Sequence, residues 1–404
     1  MRKKWFNIHA FNITVIIFLI IALASFIYLN IHFLDPLGHS LKDYEVTDIV
    51  YSQFRDKEIE LEERIVLVNI GNPDRAQISG MLDRILAANP RVIGLDVFFS
   101  GEKEALEDSM LQASIKRGAG KIVLATALQD YNEDLELFDN VSVDDSIFSN
   151  YARVGFANFP ANPTRTIRYF SSTEQGPDGP IRSFATEIVH VFDSTKLNQL
   201  IERANTLERI HFTATEKHFI KFHPKDLLDT TIDLRPQLEN KIILMGYSGS
   251  NEWNDPLIDK HFTPLNDRYT GRSTPDMYGF VIHANIIQMI LDNQYIGKVP
   301  AWLSFLLAFI LCYFNIILLI WISHRYHSVY HPIARVLQIL QFAILFFVIA
   351  YLFYFYRLKW DFTLGLLGLA LAVDTQVIYI SLVEHYKPNF KLFPQKGTKH
   401  TSGG

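Results

Sequence analysis

Polar side chains able to do chemistry are sparse in this chain and gather at segment ends. Asp96 follows Gly94 and Leu95 in the run RVIGLDVF, where the C-terminal end of a buried strand would offer a carboxylate to a ligand. The same carboxylate could instead cap the next loop. Residues 254–272, NDPLIDKHFTPLNDRYTGR, put Asp255, Asp259, His261 and Thr263 in one polar segment. Oxygen and imidazole donors of this kind suit a small polar ligand or a hard or borderline metal. No pair has the spacing of a metal motif, so the expectation is contact of Asp96, Asp255, Asp259 and Thr263 with a small ligand, with no metal or other cofactor. His283 and Asn285 open a helical pattern over residues 281–291. There they either join the ligand site and couple it to the membrane, or satisfy local backbone groups.

Other chemistries find no support. Gly246-Tyr247-Ser248-Gly249-Ser250 departs from the Gly-x-Ser-x-Gly hydrolase elbow at its last position, and no His and acid pair with it by spacing. Gly71 lacks the companion glycines of a dinucleotide loop, and no Walker-type loop occurs. No catalytic residue is assigned, and an enzyme is not expected. The formal net charge of −5, with Lys and Arg dispersed, argues against a nucleic-acid partner. The single cysteine, Cys312, lies in an apolar stretch, which leaves the polar part of the chain without disulfides or thiolate metal sites.

The elements that must position these residues are legible as two kinds of pattern. RIVLVNI at residues 64–70, RVIGLDVF at 91–98 and KIVLATA at 121–127 are short, apolar and β-branched, and helical patterns at 76–88 and 103–117 separate them. A helix at 183–192, continuing toward 203, and strands at 218–222 and 241–245 follow. Alternation of this kind predicts an α/β domain with a largely parallel sheet flanked by helices. Residues 129–148 are acidic and weakly patterned and read as an irregular insertion.

Four apolar stretches, residues 11–28, 301–322, 336–356 and 362–383, are each long enough to cross ~30 Å of hydrocarbon as a helix. Arg2, Lys3 and Lys4 set residues 1–10 on the cytoplasmic side, which places the domain at 29–300 outside and the tail at 384–404 inside. The first stretch reads as an uncleaved anchor, because its apolar run continues past the small residues Ala22 and Ala24. The lipid bilayer is therefore the first expected partner. Asn315, Gln341 and Asp374 fall at similar depths, ~18 to 23 Å from the outer helix ends, and are expected to form a polar cluster within the three C-terminal helices.

The order RIVLVNI, RVIGLDVFF, KIVLATA, KIILMG, HFTPL and MYGFVIHANIIQMIL, running into three spans, resembles the second class of CHASE domains. These are extracytoplasmic sensory domains of bacterial adenylate cyclases, diguanylate cyclases and kinases, with one span before the domain and three after it. The resemblance covers about residues 40–383, and Asp96, Thr263, Pro264, Gly279, His283, Ala284 and Asn285 match it. Asn69 stands where the family often has aspartate, and Ala161-Asn162-Pro163-Thr164-Arg165 replaces its Asp-x-Asp-Gly turn. The resemblance implies a sensor in a bacterial cytoplasmic membrane. Because residues 384–404 are too few for an output domain, other membrane or cytoplasmic proteins are expected to supply the output, and self-association is left open. The rival expectation is a non-sensing subunit of an envelope complex.

Overall fold

The computed structural model describes residues 7–30, 45–54, 60–99, 101, 103–142, 146–160, 166–249, 257, 259–266 and 274–386. They form two compact units, one from residues 1–41 and 297–404 and the other from residues 42–296.

The chain begins with α1 (Ile8–Asn30), and the second unit then opens with α2 (Val46–Gln53). Next come β1 (Glu62–Asn69), α3 (Arg75–Ala87), β2 (Val92–Leu95), α4 (Ala105–Arg117), β3 (Ile122–Asn132), β4 (Leu137–Ser142) and β5 (Arg153–Phe156). After them run β6 (Tyr169–Ser171), β7 (Thr173–Gly176), β8 (Gly179–Arg182), α5 (Phe184–Phe192), α6 (Ser194–Glu202), β9 (Leu207–Arg209), β10 (Phe219–Phe222) and β11 (Ile242–Gly246). β12 (Lys260–His261), β13 (Met277–Tyr278) and α7 (Gly279–Leu291) complete the unit.

The central sheet has the order β10-β1-β11-β2-β3, with β5 beyond β3 and every one of these pairings parallel. Alternate residues explain why its strands read as unbroken apolar runs. Val66, Val68, Ile93, Leu95, Ile243 and Met245 pack with Ile78, Leu82 and Ile85 of α3 and Leu111 and Ile115 of α4. Ile65, Leu67, Ile242 and Leu244 point to the opposite face and are equally closed to water, and there α5 lies on β2 and β3 while α7 lies on β1 and β11. Burial on both faces is the general condition of parallel sheets.

Local chemistry sets the helix ends. The Asp74 carboxylate accepts from the Gln77 backbone N–H at the start of α3, and the Ser183 hydroxyl accepts from Thr186 N–H at the start of α5. The helix expected to continue from 183 toward 203 is broken at Asp193, whose extended backbone and side chain cap α6. The irregular insertion expected at 129–148 contains order: β3 runs on to Asn132 and returns as antiparallel β4. The Asn132 side chain accepts from the Asp134 and Leu135 N–H groups, and Tyr131 packs on Phe138 with ring centroids 5.0 Å apart. A short Asx turn therefore does what hydrophobic periodicity does not signal.

A buried ionic cluster ties α2 to the small β6–β9 pair. Arg168, 2% exposed, donates to both Asp48 carboxylate oxygens, at 3.2 Å from Nε and 2.6 Å from Nη2. Arg209 donates to Thr47 at 2.7 Å and Glu45 at 2.8 Å.

The other unit continues with β14 (Gly297–Lys298), α8 (Ala301–Arg325), α9 (Tyr330–Tyr356), β15 (Leu358–Lys359) and α10 (Thr363–Tyr386). Helices α1, α8, α9 and α10 are each long and apolar enough to cross a membrane. Ala10, Ile13 and Ile17 of α1 interlock with Cys312, Ile316 and Leu319 of α8 and with Ala372 and Val373 of α10. Outward faces carry Phe314, Ile339, Phe347 and Ile378, a surface that suits lipid and not water. β14 pairs in parallel with β15, so the strand entering α8 is hydrogen-bonded to the turn between α9 and α10.

Arg168→Met is expected to destabilise the protein by about 3–5 kcal/mol, because it strands a buried carboxylate. Denaturant unfolding of the detergent-solubilised chain checks this, and pairing the change with Asp48→Leu should recover a large part of the loss.

Candidate functional site

The C-terminal ends of β1, β11 and β2 meet at a topological switch. From β1 and β2 the chain passes to α3 and α4 on one face, whereas from β11 it eventually reaches α7 on the other. Such a divergence is where open parallel sheets hold a ligand crevice, beyond the strand ends. Gly246, the last residue of β11, admits α7 here: a Cβ on it would lie 2.7 Å from the Phe280 ring.

Asp96 leaves β2 at this crevice, with its N–H donated to the Met245 carbonyl at 2.8 Å. The β12–β13 strap brings His261 alongside by antiparallel pairing of His261 with Met277, two residues before α7 begins at Gly279. Gly279 is the meeting point. A Cβ there would sit 3.7 Å from His261 Nε2 and 3.8 Å from Asp96 Oδ2. Asp259, with φ of 67°, occupies the left-handed turn that leads into β12 and acts electrostatically on both groups. Burial, with the Asp259 charge added, pushes the Asp96 carboxyl up to about 7. Burial lowers the His261 pKa, and Asp259 opposes that shift.

One turn into α7, His283 is 3% exposed. Its ring stacks on Phe159 with centroids 4.9 Å apart and meets Phe184 edge-on at 5.2 Å, while Phe159 also touches His261 edge-on at 5.6 Å. Burial drives the His283 pKa down to about 3, with His261 adding to the fall and a hydrogen bond to the Ala157 backbone opposing it. The imidazole is neutral at ordinary pH, and its Nδ1 is buried without a hydrogen-bond partner.

Asp96 and His261 thus meet at Gly279, the Asp259 charge acts on both, His283 follows one turn along α7, and the remaining candidates are placed otherwise. Asp255 lies outside the described residues, as does the 161–165 segment. Thr263 donates its hydroxyl to Asp276 at 2.5 Å and its N–H to the same carboxylate at 2.8 Å, an arrangement that shapes the loop before α7. Burial still raises Asp276 to about 6, against the lowering effect of Thr263. Asn285 is fully buried, and its amide is spent on backbone: Oδ1 accepts from Thr213 and Ala214 N–H, and Nδ2 donates to the Ala214 and Val281 carbonyls, all at 2.9–3.0 Å.

Reading by sequence missed three participants. Phe159 and Asp276 gave no signal, since a lone aromatic and a loop aspartate are common. Asn69 stands out only against the family's aspartate. Its Oδ1 accepts from Gly71 and Ser248 N–H at 3.0 and 2.9 Å, and its Nδ2 donates to the Gly249 carbonyl at 2.9 Å. An ionised aspartate could not make that last bond.

Among the membrane helices, Gln341 donates to Asn315 at 2.9 Å, joining α9 to α8. Asp374 does not join them, which corrects the three-residue cluster. Its carboxylate accepts from Arg335, in the second turn of α9, at 2.8 Å. A guanidinium within reach is a better partner for a carboxylate than two neutral amides. Arg335 also donates to Gln338, which bonds the Leu369 and Ala370 carbonyls of α10.

A parallel α/β domain with a strand-end crevice, joined to four membrane-crossing helices, defines a multi-pass membrane protein of the sensor type. The chain matches the CHASE2 domain over residues 13–322 and belongs to that family. Comparison with curated proteins gave no match, and comparison with solved structures gave none either.

Because the Asp96 carboxyl is raised from the ordinary carboxylate range to about 7, the folded protein holds a proton there that the unfolded chain releases at lower pH. Stability contributed by this proton declines as pH rises from about 4 to about 7. Asp96→Asn removes the effect, so the variant should gain thermal stability over the parent as pH rises through that window and keep the gain above it. Parallel melting curves across pH check this; a difference independent of pH would show that Asp96 titrates normally.

Proposed function

We propose that the protein is a receptor of a bacterial cytoplasmic membrane whose α/β domain faces outside the cytoplasm, binds a small molecule around Asp96, Asp259, His261 and His283, and signals to separate partner proteins. The observation that carries this reading is the position of the crevice at the start of α7. Asp96 and His261 lie beside Gly279, and the other end of the same helix leads through residues 292–300 into α8. Membership of the CHASE2 family supports sensing. The basic residues Arg2, Lys3 and Lys4 support the orientation.

Coupling needs an element whose two arrangements a ligand can bias. The β14–β15 pairing is suited to it, since Gly297 N–H donates to the Arg357 carbonyl at 2.8 Å and Val299 N–H to the Lys359 carbonyl at 3.0 Å. A shift of the segment entering α8 would thereby move the α9–α10 turn as well. The reading assigns no catalytic step to this chain.

Tagged full-length protein, extracted from its native membrane in mild detergent, is expected to co-purify with a soluble kinase, cyclase or regulator identified by mass spectrometry. Val299→Pro, which removes one of the donors joining β14 to β15, should weaken that recovery while leaving the domain folded. Recovery of stoichiometric envelope subunits and no signalling protein would instead make the chain a scaffold. Leu135→Cys in a Cys312→Ser background should react with a membrane-impermeant maleimide in intact cells, and protection there would reverse the orientation.

A further inference from the structure

Among the described residues, the membrane-crossing unit carries an ion pair where lipid would meet it. Asp374 lies near the middle of the Thr363–Val383 span of α10, and Arg335 reaches it from α9 at 2.8 Å. Ionisable groups in membrane helices are ordinarily turned to a bundle interior, because hydrocarbon does not solvate charge. This pair is turned outward: the Arg335 side chain is 50% exposed and that of Asp374 is 60% exposed. An arginine can snorkel to the membrane surface, but an aspartate is too short to follow it from mid-span. Gln338 accepts from the same guanidinium at 2.9 Å and fixes its direction, while the carboxylate is left the more exposed of the two charges. Around them Val336 and Ile339 of α9 and Val377 and Ile378 of α10 are exposed and apolar.

We propose that this face is the contact between two copies of the chain, with the guanidinium of each copy set against the carboxylate of the other. Two copies inserted the same way round are related by a two-fold axis along the membrane normal, which keeps every residue at its own depth. The bonded Arg335 and Asp374 side chains share one depth, so the rotation sets opposite charges face to face twice, in a ring of alternating sign. A contact of this symmetry needs a self-complementary patch, and a neutral ion pair in apolar surroundings is one. An anionic lipid head group fits less well, since the arginine that would draw it is already balanced by Asp374. The contact needs only the membrane helices and is independent of whether the α/β domain binds a ligand.

The test counts copies of the tagged, fluorophore-labelled full-length protein, reconstituted at low density in lipid vesicles, by single-molecule photobleaching. Particles of two copies are expected for the parent, and Asp374→Asn should lower the dimer affinity by about tenfold or more. Arg335→Glu leaves two acids on the face and Asp374→Arg leaves two bases, so each variant alone should be monomeric. Mixed, the two should pair with one another. Neither keeps the ion pair within its own chain, so that recovery can come only from contact between copies. Ile378→Cys in a Cys312→Ser background retains both charges and should give a disulfide-linked dimer on mild oxidation of native membranes, whereas Phe314→Cys, on α8, should not. A monomeric parent, a dimer unmoved by Asp374→Asn, mixed variants that stay apart, or crosslinking through Phe314→Cys and not Ile378→Cys would overturn the assignment. So would Ile378→Cys crosslinking to a different membrane protein in place of a second copy.

Discussion

A strand covered on both faces can carry polar side chains only where it ends. In this domain β1, β2 and β11 are closed to water on both sides, so the sheet itself offers a ligand nothing along its length. Chemistry is displaced to the C-terminal edge, where Asn69, Asp96 and residues 246–249 leave the three strands. Each of the polar groups there is held by something specific. Asn69 fastens two loop turns at once, the Asp96 backbone continues the ladder onto Met245, and the small side of Gly246 lets α7 approach closely enough to cover the crevice.

Helix α7 then divides its polar residues between two tasks. Asn285 is spent on four backbone groups and locks the 213–214 segment to the helix. His283, half a turn earlier, has an acceptor left over. The difference is physical. An amide whose donors and acceptors are all satisfied stabilises the fold and has nothing to offer a ligand, whereas a buried, unsatisfied imidazole nitrogen costs the folded state until a donor arrives. The depressed pKa of His283 and the raised pKa of Asp96 share one cause, removal of water, and both groups lean toward their neutral forms.

Much of the fold was legible before any coordinates. RIVLVNI and KIILMG are continuous apolar runs because both faces of each strand are buried, and that pattern needs no alternation to be recognised. The spans are legible because crossing hydrocarbon demands a length and a composition that little else demands. Asp96 was legible as a candidate from its place at a strand end. The β3–β4 hairpin was not, because its strands are half exposed and acidic and its turn depends on one Asn132 side chain. Asp374 was legible as a costly residue, but its partner Arg335 lies on another helix and reads in the sequence as part of a loop.

The sequence by itself determined which segments are buried, which cross the membrane and which carry carboxylates and imidazoles, because hydrophobic run length and period are local properties of the chain. Only the tertiary structure decided that Asp96, from the first half of the domain, faces His261 and Gly279 from its last part, that Asn285 is consumed by backbone while His283 is not, and that Asp374 meets a guanidinium. Those outcomes depend on strand order and on which helix covers which face, and long-range packing sets both without leaving a mark in the spacing of residues along the chain.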